Sequence, residues 1–369
     1  MNNRNKNFVI TILFAVLVIG ASVLCIFKPS DAFSESERRE LASFPEFSFE
    51  RVINGEFIAD FETYATERFP YRDILRGIKA SFSTKVMGKL DNNGLFVADG
   101  HISKIDSALN EEMLNHSGER FSYLYDSYLK DKSMNIYFSV IPDKNYFIAE
   151  KNGYPSLDYP KIVDIMKNKT DYMDYIDVTE LLDIDDYYRT DTHWKQESIV
   201  DVAKYFANKM GSDIADTYNE NTLDNPFYGV YHGQLAMPFE PDTINYLTNE
   251  IIDNFVVTYF DSGKPQTGDL YNMEKAYGKD PYEMFLSGSS PLVTIDNPLA
   301  ANEKELIVFR DSYGSSILPL IAQGYSKTTI IDIRYLQSSF LGNLIDFNEN
   351  SDVLFIYSAT LLNNSLALR

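Results

Sequence analysis

Thiol chemistry is nearly absent from this sequence. Its one cysteine, Cys25, lies inside an apolar run near the N-terminus, so disulfides, Cys-based zinc sites and redox cysteines are excluded for the rest of the chain. Histidine is scarce: four occur in 369 residues, at positions 101, 116, 193 and 232. Basic charge is outweighed, with 33 Lys and Arg against 54 Asp and Glu for a formal net charge of −21. A chain this acidic is a poor partner for a nucleic-acid backbone, and no such partner is expected. Internal repeats and low-complexity segments are missing as well. What the sequence has in plenty is apolar residues, 44% hydrophobic with 14% aromatic, enough for a sizeable buried core with an appendage.

Long hydrophobic runs are also lacking, with one exception. Phe8 to Phe27 is an uncharged stretch of 20 residues, which at about 1.5 Å per residue spans roughly 30 Å, the thickness of a bilayer core. Arg4 and Lys6 precede it, whereas Lys28, Asp31 and the acidic segment Glu35 to Glu40 follow. By the positive-inside rule residues 1–7 stay in the cytoplasm, 8–27 form an anchor, and everything beyond is exported. A cleaved signal peptide is the alternative. Its small-x-small site would fall at Gly20-Ala21-Ser22, inside the apolar run, which favours the uncleaved anchor and single-pass attachment. The residues before Cys25 do not make a lipoprotein box.

Residues 28–89 read as a helical stalk and lead-in. Ser34 to Ala42 has the pattern of a capped, charged helical turn broken by Phe44-Pro45, and helices are expected from Ile58 to Arg68 and from Asp73 to about Met87. From residue 90 to 369 short apolar runs alternate with amphipathic segments, the mark of an α/β sheet domain. Expected strands are Gly94–Val97, Asn135–Ile141, Tyr175–Val178, Phe255–Phe260, Glu305–Phe309, Thr328–Ile333 and Val353–Tyr357. Expected helices are Ser107–Lys130, Pro160–Lys169, Gln196–Met210, Ser315–Ala322 and Ser338–Phe347, with 217–298 otherwise loop-rich.

Two stretches carry candidate chemistry. In Tyr188-Arg189-Thr190-Asp191-Thr192-His193-Trp194 an acid and a histidine stand two residues apart just before a helix. On an extended turn both side chains can face one cavity; the carboxylate holds one ring nitrogen, and the other is free to take a proton from a hydroxyl. The hydroxyl candidate is Ser312, in Arg310-Asp311-Ser312-Tyr313-Gly314, placed after a strand and before a helix. There a side chain sits at the carboxyl edge of the sheet, and the N–H groups of the helix start can stabilise an oxyanion. Asp-Ser before a helix is also the pattern of a cap. Arg189 and Trp194 beside the pair are candidate sugar contacts, as are Arg334 and Tyr335 after the next strand. A core role for Trp194, a solvent-facing Arg334 and a packed Tyr335 are the plain alternatives. Lys144 at the end of a strand and His232 in Tyr231-His232-Gly233 are weaker candidates.

Together Asp191-Thr192-His193-Trp194, Arg310-Asp311-Ser312-Tyr313-Gly314, Phe69-Pro70-Tyr71-Arg72-Asp73 and Ile141-Pro142-Asp143-Lys144 resemble the bacterial DHHW proteins. Those are relatives of the alginate O-acetyltransferase proteins of the SGNH-hydrolase-like group. The resemblance covers the chain from about Ser34 onward. It implies an α/β, SGNH-hydrolase-like, flavodoxin-like three-layer fold over residues 90–369. It further implies a triad with Ser312 as nucleophile, His193 as base and Asp191 orienting it. Thr192 stands where the family's name motif has a second His, and Arg310 where ordinary SGNH enzymes have Gly.

The expected function is O-acetyl transfer to, or removal from, an exported or cell-wall polysaccharide, with no cofactor. The resemblance implies a multi-pass membrane acyltransferase as partner, because acetyl-CoA is absent outside the cell. A catalytically silent polysaccharide-binding or export-scaffold protein is the second reading. A metal site on Asp191 and His193 is the third, although one Asp-x-His supplies only two ligands and no metal is expected.

Overall fold

The computed structural model describes residues 3–27, 32–34, 36–37, 39–261 and 263–369. The strand Glu305–Arg310 has side chains committed to both of its faces. Leu306 and Val308 belong to one core and Ile307 and Phe309 to another, and none of the four is more than 1% exposed. A strand buried on both faces needs neighbours on both edges and cover above and below.

It has both. The strands of its sheet are β1 (Ile136–Ile141), β2 (Asp174–Tyr175), β3 (Val256–Tyr259), β4 (Gln266–Gly268), β5 (Leu292–Asp296), β6 (Glu305–Arg310), β7 (Lys327–Ile331) and β8 (Ser351–Ser358), in the spatial order β4-β3-β5-β7-β6-β8-β1-β2. From β7 to β2 every pairing is parallel, while β5, β3 and β4 add an antiparallel edge. In the β6–β8 register Phe309 lies opposite Phe355, and their rings stack with centroids 4.6 Å apart. Burying each such ring is worth about 1.5–3 kcal/mol.

The helices used below are α1 (Asn3–Phe27), α2 (Glu56–Glu67), α3 (Arg72–Ser81), α4 (Glu111–Leu124), α5 (Tyr159–Lys169), α6 (Val200–Lys209) and α7 (Gly314–Ile321). α4 and α5 bury Leu114, Phe121, Ile162 and Met166 in one core; α6 and α7 bury Val202, Phe206, Ile317 and Leu318 in the other. Helices therefore cover both faces of the large mixed sheet. α5 illustrates the local logic: Asp158 accepts the N–H of Lys161 as N-cap, Pro160 sits in the first turn, and Lys167 and Lys169 occupy the last.

The chain divides into two compact units, Met1–Asn93 with His232–Pro238, and Gly94–Tyr231 with Phe239–Arg369. In the first, α1 is long and apolar enough over Arg4–Leu24 to cross a membrane. The expected helical turn at Ser34–Ala42 is instead a small ladder, Phe33–Ser34 antiparallel to Arg39–Glu40. Leu41 N–H closes it onto Ala32 C=O, and Arg39 is drawn to Glu37 and Glu67. Lys28, Asp31, Glu35 and Arg38 of the expected stalk lie outside the described residues.

Elsewhere the expectations need correction where pairing is long-range. The loop-rich stretch 217–298 holds β4 and β5 besides β3, and a ladder of Asn219–Thr222 with Asn245–Thr248. The expected helix Ser338–Phe347 is a 3₁₀ segment, Ser338–Asn343. Ser107–Lys130 resolves into α4 followed by a π-turn, Tyr125–Leu129.

Candidate functional site

The site begins with how a short loop is held. Tyr187 and Trp194 face each other in an antiparallel bridge, Tyr188 N–H donates to His193 C=O at 3.0 Å, and Lys195 N–H to Asp186 C=O at 2.7 Å. Asp191 and His193 thus sit at the tip of a closed turn. Two buried charges fix its backbone from beneath. Lys144, 1% exposed, donates to the carbonyls of Tyr188 and Arg189 at 2.9 and 3.1 Å. Asp242 accepts the N–H groups of Arg189 and Thr190 at 2.9 and 2.7 Å and the Thr190 hydroxyl at 2.5 Å.

Burial lowers the Lys144 ammonium to about 7, against the attraction of Asp191, Asp242 and Asp143. The neighbouring Asp143 carboxyl is raised to about 6, also by burial.

Asp191 is oriented by backbone. Its Oδ2 accepts Val230 N–H at 2.9 Å, and its Oδ1 accepts His193 N–H at 3.2 Å. Gly229 makes that approach possible, since a Cβ there would stand 2.4 Å from Asp191 Cα and Cβ. With both oxygens held, Oδ1 lies 2.6 Å from His193 Nδ1. On the other side of the ring, Nε2 lies 2.8 Å from Ser312 Oγ. Residues 119 apart in sequence thus form one continuous relay, carboxylate to imidazole to hydroxyl. Asp191 is 1% exposed, while the His193 side chain keeps 12% of its surface open.

Ser312 stands two residues past the end of β6, at the carboxyl edge of the parallel strands, where open α/β sheets place their ligands. Asp311 anchors the turn: its Oδ1 accepts Tyr313 N–H, and its Oδ2 accepts both the N–H and the hydroxyl of Ser358 at the end of β8. The turn also uses up donors expected to be free for an oxyanion. The N–H groups of Tyr313, Gly314 and Ser315 bond to the Asp311 carboxylate, Asp311 C=O and Ser312 C=O respectively. The Ser312 N–H is left without an acceptor among the described residues.

Aromatic rings set the position of His193. The ring of Tyr282 stacks on the imidazole with centroids 3.9 Å apart and planes inclined by 7°. Its hydroxyl donates to Ser312 C=O at 3.3 Å and lies 3.0 Å from Ser316 Oγ. Burial drives its phenol well above the ordinary range, so it remains a donor at any working pH. Tyr313 donates its hydroxyl to Thr192 C=O at 2.8 Å. Nothing in the sequence around Tyr282 distinguishes it from the 25 other tyrosines; only the fold brings it under the histidine. Gly229 and Asp242 were equally invisible.

The remaining candidates serve other partners. Trp194 is fully buried and donates its indole N–H to Tyr313 C=O at 3.0 Å, so it presents no face to a ligand. Arg189 donates to Pro241 C=O at 2.8 Å and stands 3.5 Å from Asp242. Arg334 binds Asp332 through two nitrogens at 2.9 and 2.6 Å and lies over the ring of Tyr335, which is half exposed. Asp332 also faces Arg310, at 3.7 Å. Arg310 is buried, with burial lowering its basicity, and donates to Ser315 Oγ and Gly288 C=O. Its stem runs beside Gly314, where a Cβ would come within 2.9 Å. His232 falls in the unit that contains the lead-in. No cluster of three or more His, Cys, Asp or Glu able to hold a metal occurs among the described residues.

No family model matches the sequence, and no curated protein matches it. Solved structures do. A DHHW family protein from Eubacterium siraeum is 21% identical, with 75% of this chain and 95% of that one covered at a TM-score of 0.62. Bacillus cereus PatB1 is 23% identical, with 73% and 96% covered at a TM-score of 0.58. The same protein with a sulfonyl adduct is 22% identical, with 73% and 95% covered at 0.57. The chain shares the fold of these proteins.

Proposed function

We propose that the chain is a serine-dependent O-acyltransferase or acylesterase of the cell envelope, acting on an exported or cell-wall polysaccharide. The observation that carries the reading is the relay from Asp191 through His193 to Ser312, with contacts of 2.6 and 2.8 Å. Asp191 accepts Nδ1–H and so holds the tautomer in which Nε2 is basic. Nε2 takes the Ser312 proton as Oγ attacks the acyl carbon of a donor ester. The tetrahedral oxyanion is stabilised by the Ser312 N–H. It collapses as the donor's leaving oxygen takes the proton from Nε2, which leaves an acyl-serine. A sugar hydroxyl then gives its proton to Nε2 and attacks the ester; the bond from the acyl carbon to Ser312 Oγ breaks, Oγ takes the proton back from Nε2, and the sugar carries the acyl group away. Hydrolysis differs only in water as the second nucleophile. No cofactor enters either step.

The N-terminal helix supports a cell-envelope setting. Arg4 and Lys6 ahead of the apolar helix favour retention of that end in the cytoplasm. The helix would then hold the body on the outer face, single-pass and uncleaved. A multi-pass membrane acyltransferase would supply the acyl group there. Of the candidate sugar contacts, Tyr335 and Arg189, at the rim of the loop, have the exposure the role requires; the Arg334 side chain is only 17% exposed and is held by Asp332.

The test uses the full chain in detergent with a chromogenic acetyl ester and a sulfonyl fluoride. Ester cleavage lost at least about a thousandfold in both Ser312→Ala and His193→Ala, with sulfonyl labelling confined to Ser312, is the expected result. A folded protein that neither cleaves nor is labelled would leave a polysaccharide-binding or scaffolding role in its place.

A further inference from the structure

The first unit presents apolar side chains outward. On α3 and the π-turn that continues it, Phe82–Val86, the residues Tyr71, Ile74, Leu75, Ile78, Phe82 and Val86 are all exposed, Ile74 at 62%, Ile78 at 61% and Val86 at 69%. At about 100° per residue, the four from Ile74 to Phe82 fall within one arc of roughly 100°, with Tyr71 at the N-cap just before them. The opposite side is occupied: Arg72 and Arg76 pair with Glu37 at 2.6 and 3.2 Å, and Ala80 and Ser83 are buried. Ile58, Phe61 and Phe69 of the same unit are exposed too, and with Leu75 they border a cavity of about 1030 Å³ whose other walls are mostly polar, Glu37, Arg72 and Arg76 among them. The apolar surface therefore extends beyond one helix. Lys79, Lys85 and Lys89 are exposed along the same segment, which from 68 to 89 holds six basic residues and one acidic one.

An exposed apolar arc beside lysines is the composition of a helix that lies in a membrane interface, apolar face among the acyl chains and lysines at the headgroups. The chain also keeps this face close to a bilayer if α1 spans one, because only 43 residues separate Phe27 from Tyr71. Tethering of that kind turns even weak surface binding into a populated state. We propose that the Tyr71–Val86 segment docks in the surface of the same membrane that holds α1, its apolar arc inserted and its lysines on anionic lipid. This rests on the anchored reading given above.

The experiment reconstitutes the full chain into phosphatidylcholine–phosphatidylglycerol vesicles and keeps the two readings apart. Flotation with the vesicles reports α1. Ile78→Trp, at a position whose exposure leaves the fold unloaded, reports the docking against the buried native Trp194. The expected outcome is an I78W emission shifted to the blue, protected from iodide and reduced by about half in vesicles of brominated lipid. Adding K79E, K85E and K89E, or replacing the anionic lipid by neutral lipid, should weaken that quenching. Flotation with I78W open to iodide and unquenched by bromolipid overturns the docking alone. A blue-shifted I78W reached by neither quencher means that protein, a second copy or another chain, covers the face, and overturns it too. Failure to float overturns both readings. Ester cleavage by I78W at the parent rate checks that the variant is folded.

Discussion

Phe355 and Phe82 are the same residue under two regimes. In the sheet unit Phe355 is fully buried, stacked on Phe309 and edged by Phe121. In the lead-in Phe82 is 53% exposed, and Phe44, Phe47 and Phe49 are exposed further still, Phe44 edge-on to Tyr64, Phe61 and Phe57 and Phe47 edge-on to Phe49 and Phe57. The carboxylates repeat the contrast. Asp191 is held by two backbone N–H groups and turned toward an imidazole. Glu37 is surrounded by Arg39, Arg72 and Arg76, all guanidinium. One unit uses its apolar and charged groups to hold three side chains in hydrogen-bonding register; the other ties short helices together with ion pairs and leaves its apolar groups facing out. A site that must hold contacts of 2.6 and 2.8 Å needs the first kind of surrounding.

That contrast can be broken most severely at the carboxylates. Asp191→Asn should lower ester cleavage by about a thousand- to ten-thousandfold, because the amide no longer holds the imidazole in its basic tautomer. Glu37→Gln should leave the rate within about twofold. Initial rates on one chromogenic ester decide it, and equal losses in the two variants would erase the distinction. Next come the phenylalanines. Phe309→Ala should destabilise the sheet unit by about 3–5 kcal/mol through cavity formation, and Phe82→Ala by no more than about 0.5 kcal/mol. Urea titration reads both, followed for the sheet unit by the fluorescence of Trp194, the only tryptophan and buried in that unit, and for the lead-in by far-UV circular dichroism.

A smaller effect is expected at Tyr282. Tyr282→Phe keeps the ring under His193 but removes the hydroxyl from Ser312 C=O and Ser316 Oγ, interactions together worth about 1–1.5 kcal/mol. The rate constant should fall about tenfold with KM little changed. Tyr282→Leu, which also loses the stacked ring, should cost more. A phenylalanine variant as active as the parent would show that the stack alone positions the histidine.

The smallest effect concerns pH. Burial raises Glu197 from its ordinary 4.5 to about 7, and its Oε2 has no hydrogen-bond partner. Between those values the native state keeps a proton that the unfolded state has released. Stability falls as pH rises through this window, with the full cost present above about 7. Glu197→Gln should therefore raise Tm at pH 8 and leave it unchanged at pH 4. Glu37 has the opposite sign. Burial pushes it up, but Arg72, Arg76 and Arg39 outweigh that and hold it below 4.5. Its contribution is present at neutral pH and is lost as pH falls through its folded-state value. Acid should loosen the lead-in while it relieves the sheet unit, and melting that shifts the same way in both would contradict this.

Much of the sheet was legible beforehand. β1, β6 and β8 are runs of apolar residues too dense for a surface, and the expected strands at Asn135, Glu305 and Val353 coincide with them to within a residue or two. α5 announced itself through its Pro160 and final lysines. The antiparallel edge was not legible. β4 is Gln-Thr-Gly, and the strand Asn219–Thr222 is wholly polar; their ladders depend on partners far along the chain, and no local pattern carries that information. Ser34–Ala42 misled for the same reason, because Arg39 found Glu67 rather than a helical neighbour.

The site divides along the same line. Residue type and local context make Asp191, His193 and Ser312 candidates, an acid beside a scarce histidine before one helix and a serine between a buried strand and another helix, and the resemblance to the DHHW proteins is what joined them into one expected triad. Composition likewise marks α1 as membrane-compatible, because length and apolarity are local properties. Whether Ser312 Oγ lies 2.8 Å from Nε2 or far away is a matter of a sequence separation of 119 positions, and only the packed sheet decides it. The same holds for Tyr282 beneath the imidazole, for Gly229 against Asp191, and for the turn that consumes the helix-start N–H groups and leaves that of Ser312. Sequence pattern governs what each segment prefers; distances between segments are set by the core they share, and a relay is made of distances.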